Sequence, residues 1–398
     1  MKRILGLAPN VFFLGLVSLL NDFSSEMIYA VMPAFLTVVL GAPPVFVGFM
    51  EGLADAMASF LKIFAGWFSD RIGKRKIIAI SGYSLSVATR LFLALVANFW
   101  QVFVLRVIDR VGKGFRDSPR DALIAESVER KELGKSFGYH RAMDSIGAVL
   151  GPLAGIVLLA TFLDDNYRSL FLVGFVAGLL AVATFVFVKD TPQKIIRTDK
   201  ANIKDIFSLG QFSGAFKKYI LAIFIFGLGV MPTSLMTLKS QGTDFGNLGI
   251  PALYLLSSIS FILFAIPLGR LSDKIGEKKV LIFGFVIAIV SYIILAIFNS
   301  IFSLVAGFII FGLYLAMTDG ISRALASKLV RSDQLATGQG FLNAAIGISS
   351  LLAGVIGGGI WTIFNSTAAF VYGLVLMIIG LAVFIYLNGS EKELELIE

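Results

Sequence analysis

Long apolar runs follow one another through almost the whole of this chain, and they constrain the fold more than any other feature. A helix needs about 20 apolar residues to cross the hydrocarbon core of a bilayer. Only 15% of the 398 residues are charged, against about 25% in soluble proteins. The sequence therefore predicts an all-α membrane protein whose twelve transmembrane helices, numbered 1 to 12, cover about 9–40, 44–68, 76–97, 100–124, 136–161, 168–188, 217–239, 250–270, 278–298, 301–327, 336–361 and 367–388.

The distribution of basic residues excludes one class of partner and predicts an orientation. The net charge is +8, but Lys and Arg lie in short turns between apolar runs rather than on one solvated face, which argues against nucleic acid. If the N-terminus is cytoplasmic, the opposite side carries only Arg168 and Lys239. This asymmetry predicts that both termini are cytoplasmic. The first run continues to about Leu40 without a cleavage site, so we interpret it as a membrane helix rather than a signal peptide.

A polar linker and an internal repeat divide the chain. Residues 191–216 are rich in Lys, Asp, Gln, Thr and Ser, and they separate a six-helix half at 1–190 from a second half at 217–398 that ends in a short tail. The turn at 66–76 recurs at 269–279, an offset of 203 residues, with the core Gly-x-x-x-Asp-[Arg/Lys]-x-Gly in both copies. Two halves of the same sense are predicted, related by duplication.

Three motifs resemble the major facilitator superfamily of transporters. The turn at 66–76 resembles its loop motif between helices 2 and 3, and 269–279 resembles the copy between helices 8 and 9. Arg106 with Gly112 and Gly114 is similar to its helix 4 motif, although Asp109 and Arg110 stand where Gln and Gly are usual. Residues 147–155 are similar to the Gly-x-x-x-Gly-Pro motif of exporters that exchange substrate for protons. The resemblance implies the twelve-helix fold, alternating access and a bacterial or archaeal plasma membrane.

Two parts of these motifs are candidates for gating. An acid at the end of helix 2 could pair with a base at the end of helix 4 and so latch the cytoplasmic side; a simple helix cap is the alternative. The glycines of helix 5 could form a pivot and seal between the halves, or only a close helix contact. The gating candidates are Asp70, Arg71, Arg120, Asp273, Gly147, Gly151 and Pro152.

Ionisable residues within the apolar runs are candidates for proton coupling, because charge is expensive in a bilayer. Asp22 and Glu26 are four residues apart in helix 1, and Glu51 and Asp55 repeat this spacing in helix 2. Glu51 could instead be solvated near the outer surface, and Lys62 is a possible ion-pair partner of Asp55. Asp144 in helix 5 is the fifth candidate, because its proton affinity would depend on the charges beside it.

Helix 4 carries a charged stripe whose residues recur at spacings of three or four. The stripe consists of Arg106, Asp109, Arg110, Lys113, Arg116, Asp117 and Arg120. Two interpretations stay open: the acids of helices 1 and 2 neutralise the stripe as a structural network, or some of its cations bind an anionic substrate group. The substrate-binding candidates are Arg110, Lys113, Arg116, Arg141, Asn343 and Tyr314.

These observations predict a secondary active transporter, with proton-coupled export of a small amphiphilic or anionic compound. Alternatives are an importer or facilitator of an anionic nutrient and, in another class, a membrane receptor or enzyme that reuses the fold. The absence of Cys and the single His140 argue against a metal centre, and no phosphate-binding loop is present. We expect no cofactor and no enzymatic activity, with the proton gradient as energy source. The expected partners are the lipid bilayer, a small-molecule substrate and protons, with the chain a monomer.

Overall fold

The fold is built from helices at each of the twelve predicted positions. The computed structural model describes residues 3–54, 56–57, 75–129, 132–190, 212–331 and 335–388, and every regular element within them is helical. The helices α1 to α12 are Pro9–Ala34, Pro44–Ala54, Arg75–Leu93, Phe99–Glu126, Leu133–Thr161, Tyr167–Thr184, Gly214–Gly227, Gly249–Ile275, Glu277–Ile297, Ile301–Lys328, Leu335–Ile363 and Ser366–Asn388. The predicted all-α class is confirmed.

Nine helices in the described part of the chain are long and apolar enough to cross a membrane. The other three have separate reasons for falling short. The described part of α2 is short, and α7 ends at Gly227 before a second short segment, Thr233–Thr237. Helix α4 has the necessary length but carries the charged stripe. Length and hydropathy alone therefore miss the one helix in which charge is concentrated.

Side-chain caps fix where several helices begin. The Asn98 side chain accepts the backbone N–H of Gln101 at the start of α4, and the Ser300 side chain accepts that of Ser303 at the start of α10. Such caps satisfy a backbone donor that the first helical turn leaves without an acceptor. Asn98 and Ser300 are 202 residues apart, so the two halves start their fourth helices in the same way.

The chain divides into two compact units, which are described separately. The first comprises Met1–Ala42 and Phe60–Arg197, and the second comprises Pro43–Ser59 and Thr198–Glu398. Helix α2 thus belongs to the second unit, where Gly48 and Gly354 allow the backbones of α2 and α11 into contact. Most of the predicted linker, residues 191–211, lies outside the described residues. The predicted boundaries at 190 and 217 stay predictions.

The first unit is organised around α1, which packs against α5 and α6. Gly147 and Gly151 of α5 face α1 so closely that a Cβ atom at these positions would lie 2.6 Å from the Leu19 oxygen and 2.5 Å from the Phe23 oxygen. Pro152 lies in the same helix and is buried. The close helix contact expected of the glycine stripe is present inside one unit. Its role as a pivot stays a prediction.

Both units tie the beginning of one helix to the end of the next by a salt bridge. In the first unit Arg75 of α3 lies 2.6 Å from Glu126 of α4. In the second, Glu277 of α9 lies 2.5 Å from Lys328 of α10. Arg75 corresponds to Glu277 and Glu126 corresponds to Lys328, each at an offset of 202 residues. At both positions the charge has the opposite sign in the other unit. The repeats preserve the interaction although they exchange the two charges.

The second copy of the repeated turn is the joint between α8 and α9. Helix α8 ends at Ile275, Gly276 follows with φ +94°, and α9 begins at Glu277. This left-handed conformation favours glycine. Asp273, a gating candidate, is exposed near the end of α8. Of the first copy only Arg75 and Lys76 are described, so Asp70 and Arg71 lie outside the described residues.

Gly276→Ala should lower the stability of the chain by about 1 to 2 kcal/mol, because alanine is strained at a positive φ. A Cβ at Gly276 meets no atom within 4 Å, so the cost is that of the backbone alone. The control is Gly269→Ala, because Gly269 lies within α8 and a Cβ atom there would also meet no atom within 4 Å. It should be neutral or stabilising. Thermal unfolding in detergent measures both, and equal melting temperatures would contradict the assignment.

Gly151→Ala should destabilise by about 1 to 3 kcal/mol, because the new methyl group forces α1 and α5 apart. Gly138→Ala is the matched control in the same helix, since its Cβ would meet no atom within 4 Å. Thermal unfolding should separate the two variants. If they unfold at the same temperature, the backbone contact between α1 and α5 does not contribute to stability.

Candidate functional site

Two of the predicted proton-coupling acids come together between α1 and α5. Asp22 accepts a hydrogen bond of 3.0 Å from the side-chain amide of Asn21, and its carboxylate interacts electrostatically with Asp144. Asp144 accepts a hydrogen bond from the Ser18 hydroxyl. The backbone contact at Gly147 makes this approach possible, because a Cβ there would lie 3.1 Å from that of Asp22. We call Asp22 and Asp144 the acid pair.

Basic side chains lie around the acid pair. His140 Nδ1 and Arg141 Nη1 are each 3.6 Å from Asp144 Oδ2. Arg116 and Lys113 of α4 act electrostatically on Asp22. Helices α1, α4 and α5 thus bring acids and bases to one place inside the first unit. Arg141 itself is 75% exposed, so this predicted substrate residue reaches the acid pair from the rim rather than from the interior.

The charged stripe of α4 is partly neutralised within the helix itself. Arg106 Nη1 lies 4.0 Å from Asp109 Oδ2, which also accepts a hydrogen bond from the Tyr29 hydroxyl. The Arg106 guanidinium lies over the Tyr29 ring, 3.8 Å from its centroid. Such stacking is favourable for a desolvated cation. Around Asp109 the stripe is neutralised by an acid of α4 itself, with a tyrosine of α1 that the sequence did not predict, whereas the first interpretation expected the acids of helices 1 and 2.

Arg116 and Arg120 also have partners within the protein. Arg116 donates to Asn21 Oδ1 at 3.2 Å, lies 3.6 Å from Asp117 and stacks on Tyr83. Arg120, the predicted partner of the latch, contacts Asp121 at 2.9 Å and Asp117 at 3.5 Å. These contacts hold both guanidinium groups in place within the first unit.

Lys113 differs from the arginines of the stripe. It is half-buried, and within the described residues it has no hydrogen-bond or ion-pair partner, although Asp22 and Asp117 act on it electrostatically. Arg110 is 8% exposed, and its Nε likewise has no hydrogen-bond partner in the described part of the chain. Of the three α4 cations among the substrate-binding candidates, these two have fewer hydrogen-bond and ion-pair partners than Arg116 within the described residues.

A buried polar cluster beside the acid pair escaped the sequence analysis. Arg90 of α3 is 2% exposed and donates to the Ser24 hydroxyl at 2.5 Å and to Asn21 Oδ1 at 2.7 Å. Ser24 in turn donates to the Gly174 oxygen of α6. Arg90 is a charge within the apolar run 76–97, so the rule that identified the acids should have identified this cation too. Asn21 gave no comparable signal.

The remaining proton-coupling candidates either lie apart from the acid pair or fall outside the residues that the structure describes. Glu26 lies one turn along α1, next to Gly151. Glu51 is 8% exposed in α2, which belongs to the second unit; this burial disfavours the solvated alternative. Asp55 and its possible partner Lys62 lie outside the described residues.

The second unit contains a cavity of about 230 Å³ that is predominantly aromatic and apolar. Phe226 and Phe285 stack on its wall with their centroids 4.0 Å apart. Tyr314, a predicted substrate residue, lines it, whereas Asn343 is half-buried and lies elsewhere on α11. Asp319 reaches the same wall and pairs with Arg323 at 3.0 Å. The described interior of the second unit is thus more apolar than the interior of the first, which holds the acid pair.

Comparisons with known proteins extend these observations over the whole chain. The family described as Major Facilitator Superfamily matches residues 14–262 and 230–397. An uncharacterized MFS-type transporter of Methanocaldococcus jannaschii is 35% identical over 382 residues, 94% of each chain. The multi-drug resistance efflux pump PmrA of Streptococcus pneumoniae is 25% identical over 321 residues, 78% of each chain.

A solved structure supports the fold. A crystal structure of a peptide transporter POT in complex with sulfate matches with a TM-score of 0.81, covering 99% of this chain and 96% of the other at 14% identity. At that identity the match concerns the fold alone. The resemblance carried by the repeated turn is confirmed, as is the fold it implied. This chain is an integral, multi-pass membrane transporter that belongs to the Major Facilitator Superfamily.

Proposed function

We propose that this transporter exports a small amphiphilic or anionic compound in exchange for protons, and that the acid pair binds the proton. The observation that carries the proposal is the meeting of Asp22 and Asp144 inside the first unit, with cations beside them. Two interacting carboxylates repel each other, and a bound proton or a nearby cation relieves this repulsion. Their proton occupancy therefore depends on how close Lys113 and Arg116 lie, and a conformational change that moves α4 would change it.

Export is supported by two further observations. Residues 147–155 resemble the helix 5 motif of proton-exchanging exporters, and one relative of this chain is named an efflux pump. The aromatic cavity of the second unit would take the apolar part of such a compound. Tyr314 and Thr318 supply hydroxyl groups on its wall, and these would orient a polar substituent.

Import or facilitated passage of an anionic nutrient is the second candidate. Lys113 favours it, because its ammonium group has no hydrogen-bond or ion-pair partner in the described part of the chain. A substrate carboxylate or phosphate would provide one. The two candidates differ in the sign of the coupling: an exporter moves the compound against the proton flux, and an importer moves it in the same direction.

Other parts of the proposal follow from the sequence. Asp70 and Arg71 act as a cytoplasmic latch with Arg120, and Asp273 occupies the equivalent position in the second half. Both termini face the cytoplasm of a bacterial or archaeal cell, and the chain works in the plasma membrane as a monomer. It needs no cofactor beyond the proton gradient and performs no covalent chemistry.

Proteoliposomes with an imposed proton gradient test the proposal. A thermal-shift screen of metabolites and drugs first selects a compound that stabilises the purified chain, and its flux is then followed with and without the gradient. We expect the gradient to drive flux opposite to proton movement. Asp22→Asn and Asp144→Asn should each abolish the gradient-driven component, because neither amide takes up a proton.

The matched control is Asp165→Asn, an exposed acid in the turn between α5 and α6. It should transport as the unchanged protein does. Flux that ignores the gradient, or that survives in both acid-pair variants, would refute proton coupling at this site. Gradient-driven flux in the same direction as the protons, lost in Lys113→Gln, would establish the importer instead.

A further inference from the structure

The orientation of one buried amide is fixed by its surroundings. Asn21 is 1% exposed, and its Oδ1 accepts hydrogen bonds from Arg90 Nη2 at 2.7 Å and from Arg116 Nη1 at 3.2 Å. A guanidinium only donates hydrogen bonds. The amide oxygen must therefore face the two arginines, because the amide nitrogen in that place would set donor against donor. The amide nitrogen is thereby directed at Asp22 Oδ1, 3.0 Å away.

The hydrogen bonds of Arg90 go to neutral side chains of α1. Its guanidinium lies among neutral acceptors, Asn21 and Ser24, and within the described residues no carboxylate lies at ion-pair distance from it. A buried cation without a paired anion is costly. Arg90 nevertheless donates to Asn21 and to Ser24, and so holds both side chains of α1 in place.

We infer that Asn21 and Arg90 are positioning residues that keep an amide donor on Asp22 and thereby set the pH at which this carboxylate takes up its proton. This inference rests on the proposed proton-coupling function. An amide N–H stabilises a carboxylate that accepts it, and it cannot donate equally well to an oxygen that carries its own proton. Loss of the donor should therefore move protonation of Asp22 to higher pH.

Within the described residues, the titratable and charged groups around Asp22 come from the helices packed against α1. Helix α5 contributes Asp144, with His140 and Arg141 behind it, and α4 contributes Lys113 and Arg116. Helix α3 contributes Arg90. The titratable groups of α6 are Tyr167 and Arg168 in its first turn, and Arg168 donates to the Ala94 oxygen instead. Along α1 itself, Glu26 is one turn away. None of these groups is removed by a substitution at Asn21.

The test is an infrared pH titration of the purified full chain in liposomes, which needs no substrate. The C=O band of a protonated carboxyl group reports its titration, and Asp22→Asn identifies the band of Asp22 by removing it. In Asn21→Leu the midpoint of that band should rise by about 1 to 2 pH units, the effect of one hydrogen bond to a charged group.

Asn10→Leu is the matched control. Asn10 is also an asparagine of α1 whose amide is fully used, donating to Ser127 and to the Lys189 oxygen and accepting from the Lys189 N–H, but these partners are not carboxylates. It should leave the midpoint where it is. If Asn21→Leu does not fold, Arg90→Lys replaces it. Lysine keeps the positive charge but lacks the guanidinium that donates to both Asn21 and Ser24. The midpoint of the Asp22 band should then rise by a smaller amount.

An unchanged midpoint in Asn21→Leu, or in Arg90→Lys where that variant is used, would overturn the inference. So would an equal rise in Asn10→Leu, or the absence of any titrating band that Asp22→Asn removes. These outcomes are independent of the flux measurement. Gradient-driven flux with an unchanged midpoint would refute the positioning role alone, whereas a shifted midpoint without gradient-driven flux would refute the proposed function alone.

Discussion

The interaction on which the first unit depends is the mutual neutralisation of charges that α4 brings into an apolar helix bundle. A charged side chain in the membrane must face the interior and find a partner there. Arg106 pairs with Asp109 under the Tyr29 ring, and Arg116 and Arg120 share Asp117. These contacts offset part of the cost of burying the charges of the stripe. In the proposed mechanism the acid pair and Lys113 carry the function, because close salt bridges within α4 do not involve them.

The two units show how a duplicated framework can serve two tasks. The framework is common to both: capped fourth helices, a salt bridge with exchanged charges between the start of the third helix and the end of the fourth, and glycines where backbones meet. The interiors have diverged. The first unit holds the charges, and the second holds an aromatic cavity of about 230 Å³. In the proposed mechanism the first unit binds the proton and the second binds the apolar part of the substrate.

Much of this arrangement could be predicted from the sequence, because hydropathy and charge act locally. The twelve helix positions follow from apolar runs, and the importance of Asp22 and Asp144 follows from the cost of burying a carboxylate. Their meeting could not be predicted, since it depends on Gly147 and Gly151 bringing α5 against α1 at one register. Nor could Asn21, whose importance comes from two guanidinium groups on other helices. The assignment of α2 to the second unit likewise depends on tertiary contacts, at Gly48 and Gly354.

The central claim is that substrate binding and proton binding are linked through the acid pair. The most direct measurement is proton release when a compound selected by thermal shift is added to the purified chain in lipid nanodiscs and weak buffer. The account predicts protons released in a fixed ratio to compound bound, and no release from the double variant Asp22→Asn, Asp144→Asn, because the compound can displace only a proton that the acids hold. Binding without a change in proton content, or the same release from the double variant, would contradict it.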